Sequence, residues 1–286
     1  MKNLILLLSL AFPAFLAAKH PNVVFILADD LGYGDVACYN PKSRIPTANI
    51  DRLAREGMLF TDAHSPSTVC TPTRYSVLTG RMAFRTGMRG VFTGAGGPCM
   101  IEKERLTLGG MLQRKGYTTA LFGKWHVERT NDLESFGWQV NGAAGTAYYD
   151  EKMKALGGER HPAGNYSLRW DHDAPSGYHS SILYGVTDVP VEKRILGITT
   201  EMALDFLGEA TLQDDPWCCF ISVIEPHDPF ITGEEAFAHA KERNKPIFLS
   251  IGRISTVSCR ESWCPGWQRP WMLPGRPAAV EYLAAG

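Results

Sequence analysis

After Asn22 the chain is unbrokenly apolar through residues 23–28, then turns acidic at Asp29-Asp30 before a turn carrying Gly32 and Gly34. A short apolar run without alternation is the pattern of a strand covered on both faces of a sheet. Residues 217–224 repeat it and stop at Glu225-Pro226-His227. Residues 117–122 also read as a strand and stop at Gly123-Lys124-Trp125-His126. Helical periodicities lie between these runs. One covers residues 47–59, with Ile50, Leu53, Ala54 and Met58 on one face and Gly57 near its end. Another covers 73–78, continuing from a proline turn and ending at Gly80. A third covers 106–115, with Leu108, Met111 and Leu112 inward and Gly116 as its stop, and a fourth covers 191–207. Strands alternating with helices, with a polar cluster after each strand, predict an α/β fold whose site lies at the carboxyl ends of the strands. Residues 139–186, rich in Gly, Tyr and His, show no ordered pattern.

Composition narrows the classes. A length of 286 residues allows one or two domains with a real core. Eighteen prolines and 28 glycines without period exclude collagen, coiled coil and low-complexity chains. With 29 basic against 30 acidic side chains, there is no electrostatic ground for binding nucleic acid or an anionic membrane. Residues 1–18 read as a signal peptide: Lys2, an apolar stretch over 4–16, then Ala17-Ala18. The stretch is shorter than the ~20 residues a membrane span needs. Export to the periplasm or the medium is therefore expected, with no membrane span. Seven cysteines, an odd number, leave at least one thiol unpaired in an exported chain. Cys218 and Cys219, adjacent on a strand, are expected on opposite faces as small buried hydrophobes.

Singly, the polar clusters have ordinary readings. Adjacent acids at a strand end cap a helix, or coordinate a hard cation; Cys70-Thr71-Pro72-Thr73-Arg74 is a turn with a thiol; His227 is a loop histidine. Taken in order they resemble the sulfatase family of the alkaline-phosphatase-like superfamily. The match runs from Pro21-Asn22-Val23-Val24 through Asp29-Asp30-Leu31-Gly32-Tyr33-Gly34-Asp35, then Cys70-Thr71-Pro72-Thr73-Arg74 and Leu78-Thr79-Gly80-Arg81. Gly116-Tyr117, Gly123-Lys124-Trp125-His126 and Pro226-His227-Asp228-Pro229 complete it. The implied fold is an alkaline-phosphatase-like sandwich with a mixed, mainly parallel central sheet flanked by helices, incomplete on its C-terminal side.

The resemblance implies a sulfuric ester hydrolase in which Cys70 is oxidised during export to formylglycine by a formylglycine-generating enzyme. The hydrate has two hydroxyls on one carbon: one attacks sulfur, and the other then expels sulfate, so one hard step becomes two. By the same resemblance Arg74 holds the hydrate, and Asp29, Asp30 and the modified Cys70 bind Ca²⁺. Lys124 and His227 neutralise the sulfate and protonate the leaving oxygen, and His126 assists at the hydrate. The substrate class is a sulfated carbohydrate or an aryl sulfate. Tyr148, Tyr149, Trp170 and His172 either line its pocket or pack in the core.

The sequence departs from the family pattern after residue 228. No Asp-Asn or Asp-His pair follows Asp228, and no aspartate at all, so the implied Ca²⁺ shell is short by two protein ligands and the sheet lacks its late strands. The domain organisation expected is a signal peptide over 1–18, a partial catalytic domain over 19–231, a segment over 232–252 resembling the start of a thioredoxin-like domain, and an irregular tail over 253–286. The tail, with its composition break after Gly252, is expected to be frameshifted or fused. Cys259 and Cys264, with four residues between them, depart from the Cys-x-x-Cys spacing of a redox site. Three rival functions remain: a catalytically silent fragment, a phosphonate or phosphate-ester hydrolase of the same superfamily, and a thiol-redox protein.

Overall fold

The computed structural model describes residues 20–43, 45–87, 99–127, 132–158, 167–170, 181–187, 189–227 and 230–233, those of 167–170, 181–187 and 230–233 by backbone only. The expected signal peptide, nearly all of the thioredoxin-like segment and the tail lie outside them, as do His172, Cys259 and Cys264.

The main sheet has the order β1-β6-β2-β3, all parallel: β1 is Val23–Asp29, β2 Thr118–Gly123, β3 Val140–Ala143 and β6 Trp217–Pro226. The three strands read from the sequence are thus neighbours in one sheet. A second sheet, β4-β5-β7, joins Ser167–Trp170 and Ser181–Thr187 antiparallel, and the latter to Phe230–Gly233 in parallel. Five helices connect the strands: α1 Ala48–Glu56, α2 Cys70–Thr79, α3 Leu108–Gln113, α4 Ala147–Ala155 and α5 Ile195–Ala210.

Side chains alternate across β6 and seed two cores. On one face Cys218 and Phe220 pack with Tyr75 and Leu78 of α2, Leu112 of α3, Trp125 and Trp138. On the other, Cys219 packs with Phe122, Tyr149 of α4, and Ile198, Met202 and Phe206 of α5. The two cysteines lie on opposite faces, both buried, and burial pushes each thiol up to about 12. They are packing groups. The result is a three-layer arrangement, helices on both faces of a mainly parallel sheet.

Four expectations need correction. β1 is not covered on both faces: among the described residues it is the edge of its sheet, and Ile26 is 37% exposed. The helix expected over 47–59 is shorter, Ala48–Glu56, and its apolar stripe is not packed inward. No residue of that helix is buried, and Leu53 and the following Met58 are 45% and 77% exposed. Met111 is likewise exposed, because α3 meets the core through Leu112 and Gly109. The helix placed at 73–78 begins at Cys70, since a proline in the first turn gives up an amide that has no intrahelical partner anyway. Residues 139–186 contribute β3, α4, β4 and β5, short elements whose periods are too brief to read.

Candidate active site

Strand register brings the polar clusters together. Asp29 of β1 lies opposite Pro226 of β6, and Gly123 of β2 lies opposite Ser222. The carboxyl ends of three adjacent parallel strands therefore form one rim, the usual ligand position in an open α/β sheet. Gly123 makes the close approach possible. Its φ is 93°, and a Cβ there would sit 2.1 Å from the Ser222 carbonyl oxygen. Past it, the Lys124 amide donates to that same carbonyl at 2.8 Å. Trp125 is buried against Phe136, which anchors the segment, and His126 follows at φ 56°, a left-handed conformation costly for a non-glycine residue.

Helix α2 brings Cys70 and Arg74 to this rim. Val69 is extended (φ −133°, ψ 152°), Cys70 is the first helical residue, and Gly80 ends the helix at φ 64° with its amide on the Ser76 carbonyl. The Thr73 hydroxyl lies 2.9 Å from the Val69 carbonyl and 3.0 Å from that of Ser67, donating to one at a time and fastening the entering loop. Ser76 donates to the Pro72 carbonyl and accepts from the Ala83 amide, fixing the other end. Arg81 reaches Glu102 at 2.5 Å, and Glu102 also accepts from Tyr75 and Arg105. Arg74 is four residues after Cys70, on the same helix face.

Around Arg74, which is 3% exposed, the charges converge. Its Nη1 donates to the Lys124 carbonyl at 2.7 Å and to Ser222 Oγ at 2.5 Å. Its Nη2 lies 3.4 Å from Asp29 Oδ2, which also accepts from Lys124 Nζ. Arg74 Nε is buried without a hydrogen-bond partner. Beside this group, His227 Nε2 stands 3.8 Å from Asp30 Oδ2, with the His227 amide on the Ile224 carbonyl. Asp30 adopts φ 65°.

The electrostatics follow from burial and charge. Burial alone would raise the Asp29 carboxyl; Arg74 and Lys124 outweigh it and hold the group below the ordinary carboxylate range. The Cys70 thiol is pushed up, chiefly by burial and also by Asp29, against the opposing pull of Lys124 and Arg74. An unmodified thiol here is a poor nucleophile at neutral pH. Two cations beside the N-terminus of α2 can hold a tetrahedral oxyanion.

Of the residues singled out from the sequence, the structure groups Asp29, Cys70, Arg74 and Lys124, with Asp30 and His227 alongside. His126 stands at the same strand end, two residues past Lys124. Position 70 suits a modified nucleophile, half-buried with a guanidinium one turn away. The donor set suits Ca²⁺ poorly. Among the described residues no three His, Cys, Asp or Glu side chains cluster as a metal shell, and Asp29 Oδ2 already faces two cations. Ca²⁺ takes about six to eight oxygens. Sequence reasoning missed Ser222. Its signal was a lone hydroxyl inside an apolar run, which must find a partner when buried.

The sulfatase family model matches residues 21–247. Human arylsulfatase A (Homo sapiens) is 46% identical over 125 residues, 42% of this chain and 24% of that protein. Arylsulfatase G of Rattus norvegicus is 29% identical over 229 residues, 74% of this chain and 42% of that protein. Among solved structures, Ps i-CgsB in complex with k-i-k-neocarrahexaose superposes with a TM-score of 0.54 at 24% identity, covering 77% of this chain and 48% of that one. The chain thus spans less than half the length of these proteins.

Proposed function

This chain belongs to the sulfatase family, and from that premise we propose that it is an exported sulfuric ester hydrolase acting through a formylglycine at position 70. The observation that supports this most is the convergence of Cys70, Arg74, Lys124 and Asp29 on one rim, with His227 beside them.

Members of the family generally depend on formylglycine and Ca²⁺. When present, hydrated formylglycine supplies a geminal pair of hydroxyls, one to attack the ester sulfur and one to expel sulfate afterwards. The chain's own residues do the rest. Lys124 and His227 neutralise the charge that builds on the sulfate oxygens in the transition state. Arg74, locked through Nη1 and Nη2, keeps its Nε–H for the group at position 70. His227, with Asp30 Oδ2 3.8 Å from its Nε2, donates a proton to the departing ester oxygen. His126 assists at position 70. Asp29 fixes both cations. Asp29 and Asp30 are the described donors for Ca²⁺, too few for a full shell, and no step here runs through the ion.

The substrate is an aryl sulfate or a sulfated carbohydrate, and the chain is delivered to the periplasm or the medium after modification by a formylglycine-generating enzyme. The catalytic unit runs over 19–231, followed by the segment at 232–252 and the irregular tail. Among the described residues no helix is long and apolar enough to cross a membrane. The test is sulfate release from a chromogenic aryl sulfate by the chain co-produced with a modifying enzyme. Turnover is expected in the parent and none in Cys70→Ala at unchanged circular dichroism. Equal turnover in both removes the proposal.

A further inference from the structure

Ser222 is the one hydroxyl in the run from residue 217 to 224, and it is fully buried. A hydroxyl in the central strand of a sheet is costly unless hydrogen-bonded. Its Oγ accepts from Arg74 Nη1 at 2.5 Å and donates to the Lys124 carbonyl at 2.7 Å. Arg74 Nη1 donates to the same carbonyl at 2.7 Å. The three atoms close a triangle in which the single Oγ hydrogen and both Nη1 hydrogens are used. Ser222 also accepts the Lys124 amide on its own carbonyl, at 2.8 Å. One residue of β6 therefore holds the main chain of Lys124 from both sides and the guanidinium of Arg74 from one.

From this geometry we propose that Ser222 is a positioning residue, setting the rotation of the Arg74 guanidinium and locking it in register with Lys124. The proposal rests on the reading above that Arg74 holds the group at position 70 and Lys124 the sulfate oxygens. With Nη1 saturated by Ser222 and Lys124, and Nη2 turned to Asp29, Nε is left as the donor without a protein partner. Asp29 alone cannot fix this orientation, because a single contact at 3.4 Å permits the plane to turn about it. The Lys124 carbonyl gives a second contact, and the hydroxyl carried on the backbone of β6, paired on both sides, gives the third. A group that loses its supporting contact can lose about 100-fold in rate through a displacement of about an ångström.

The experiment uses the full chain co-produced with a formylglycine-generating enzyme, as parent, Ser222→Ala, Ser222→Cys and Ser222→Thr. Cysteine keeps the volume but is a poor acceptor; threonine keeps the hydroxyl in a backbone that favours branched residues. Two quantities are read: kcat and KM for an aryl sulfate, and nitrogen NMR of arginine-labelled protein, with Arg74 assigned through Arg74→Lys. The alanine and cysteine variants are expected to lose about 10- to 100-fold in kcat with KM within about threefold, and to lose the slowly rotating Nη1 resonance of a clamped guanidinium. Threonine is expected to keep both. Parent kcat in a folded alanine or cysteine variant, or a loss in threonine as large as in alanine, overturns the proposal. If the parent shows no turnover, the function proposed above fails separately, and the resonance still decides: its persistence in Ser222→Ala and Ser222→Cys overturns the clamp, its loss supports it.

Discussion

Replacing Asp29 by asparagine tests the charge network at its centre. Asp29 is 6% exposed and its Oδ2 faces Arg74, 3% exposed, and Lys124. Removing one partner of a buried ion pair leaves an uncompensated charge, which costs about 3–5 kcal/mol. Lys124 keeps a path to water, its side chain being 15% exposed, and can relax outward. Arg74 cannot. That argues for the lower end, about 3 kcal/mol at pH 7. For a domain of this size each kcal/mol moves Tm by about 2–4 °C, so Asp29→Asn should melt about 6–12 °C lower. The pH dependence carries the sign. The folded carboxyl lies below its unfolded value of 3.8, so its contribution is full above about pH 4 and is lost as pH falls through the folded value. The stability gap between parent and Asp29→Asn, read from urea unfolding by circular dichroism, should therefore be constant from pH 7 to 5 and shrink below pH 4. A gap of under about 1 kcal/mol at pH 7, or one that persists unchanged at pH 3, would refute the reasoning.

Three further outcomes follow from the same structure. Gly123→Ala puts a Cβ 2.1 Å from the Ser222 carbonyl at a backbone φ of 93°; it should cost more than about 3 kcal/mol in urea unfolding, and a cost under about 1 kcal/mol contradicts the close approach of β2 and β6. Isothermal titration of the purified chain with Ca²⁺ should show affinity no tighter than the millimolar range, since the described donors are two carboxylates; sub-micromolar binding contradicts the donor count. Glu102→Gln should change stability by less than about 1 kcal/mol, because its side chain is 44% exposed even though hydrogen bonding, first from Arg105, pulls its carboxyl down to about 2; a larger loss on thermal melting contradicts that reading.

How much of this was legible in the sequence depended on where the stabilising contact lies. The strands β1 and β6 were readable from their apolar runs, and β2 from the segment after the helix stop at Gly116. Their polar ends were readable because each follows a charge-free run. That the polar clusters share the carboxyl rim was expected from the sequence; which strands are neighbours, and so which side chains meet, came from the strand order. α1 shows the opposite failure. Its apolar spacing is clear, yet Leu53 and Met58 are exposed, because periodicity states that a face needs a partner and not that one is packed on it. Pro72 was read as a turn before a helix, whereas the first turn tolerates proline and the helix starts at Cys70, which is what sets Cys70 and Arg74 on one face. Ser222 was hidden for a different reason. A hydroxyl within an apolar strand has no meaning until its neighbours in space are known, and those, past the end of β2 and on α2, are 98 and 148 residues away.

The central claim is that position 70 is a modified nucleophile at the end of α2, and peptide mass spectrometry of the exported chain tests it most directly. Produced alongside a formylglycine-generating enzyme, the peptide containing residues 70–74 should carry formylglycine in place of Cys70. An unmodified cysteine there, with the enzyme demonstrably active on another substrate in the same cells, would contradict the account.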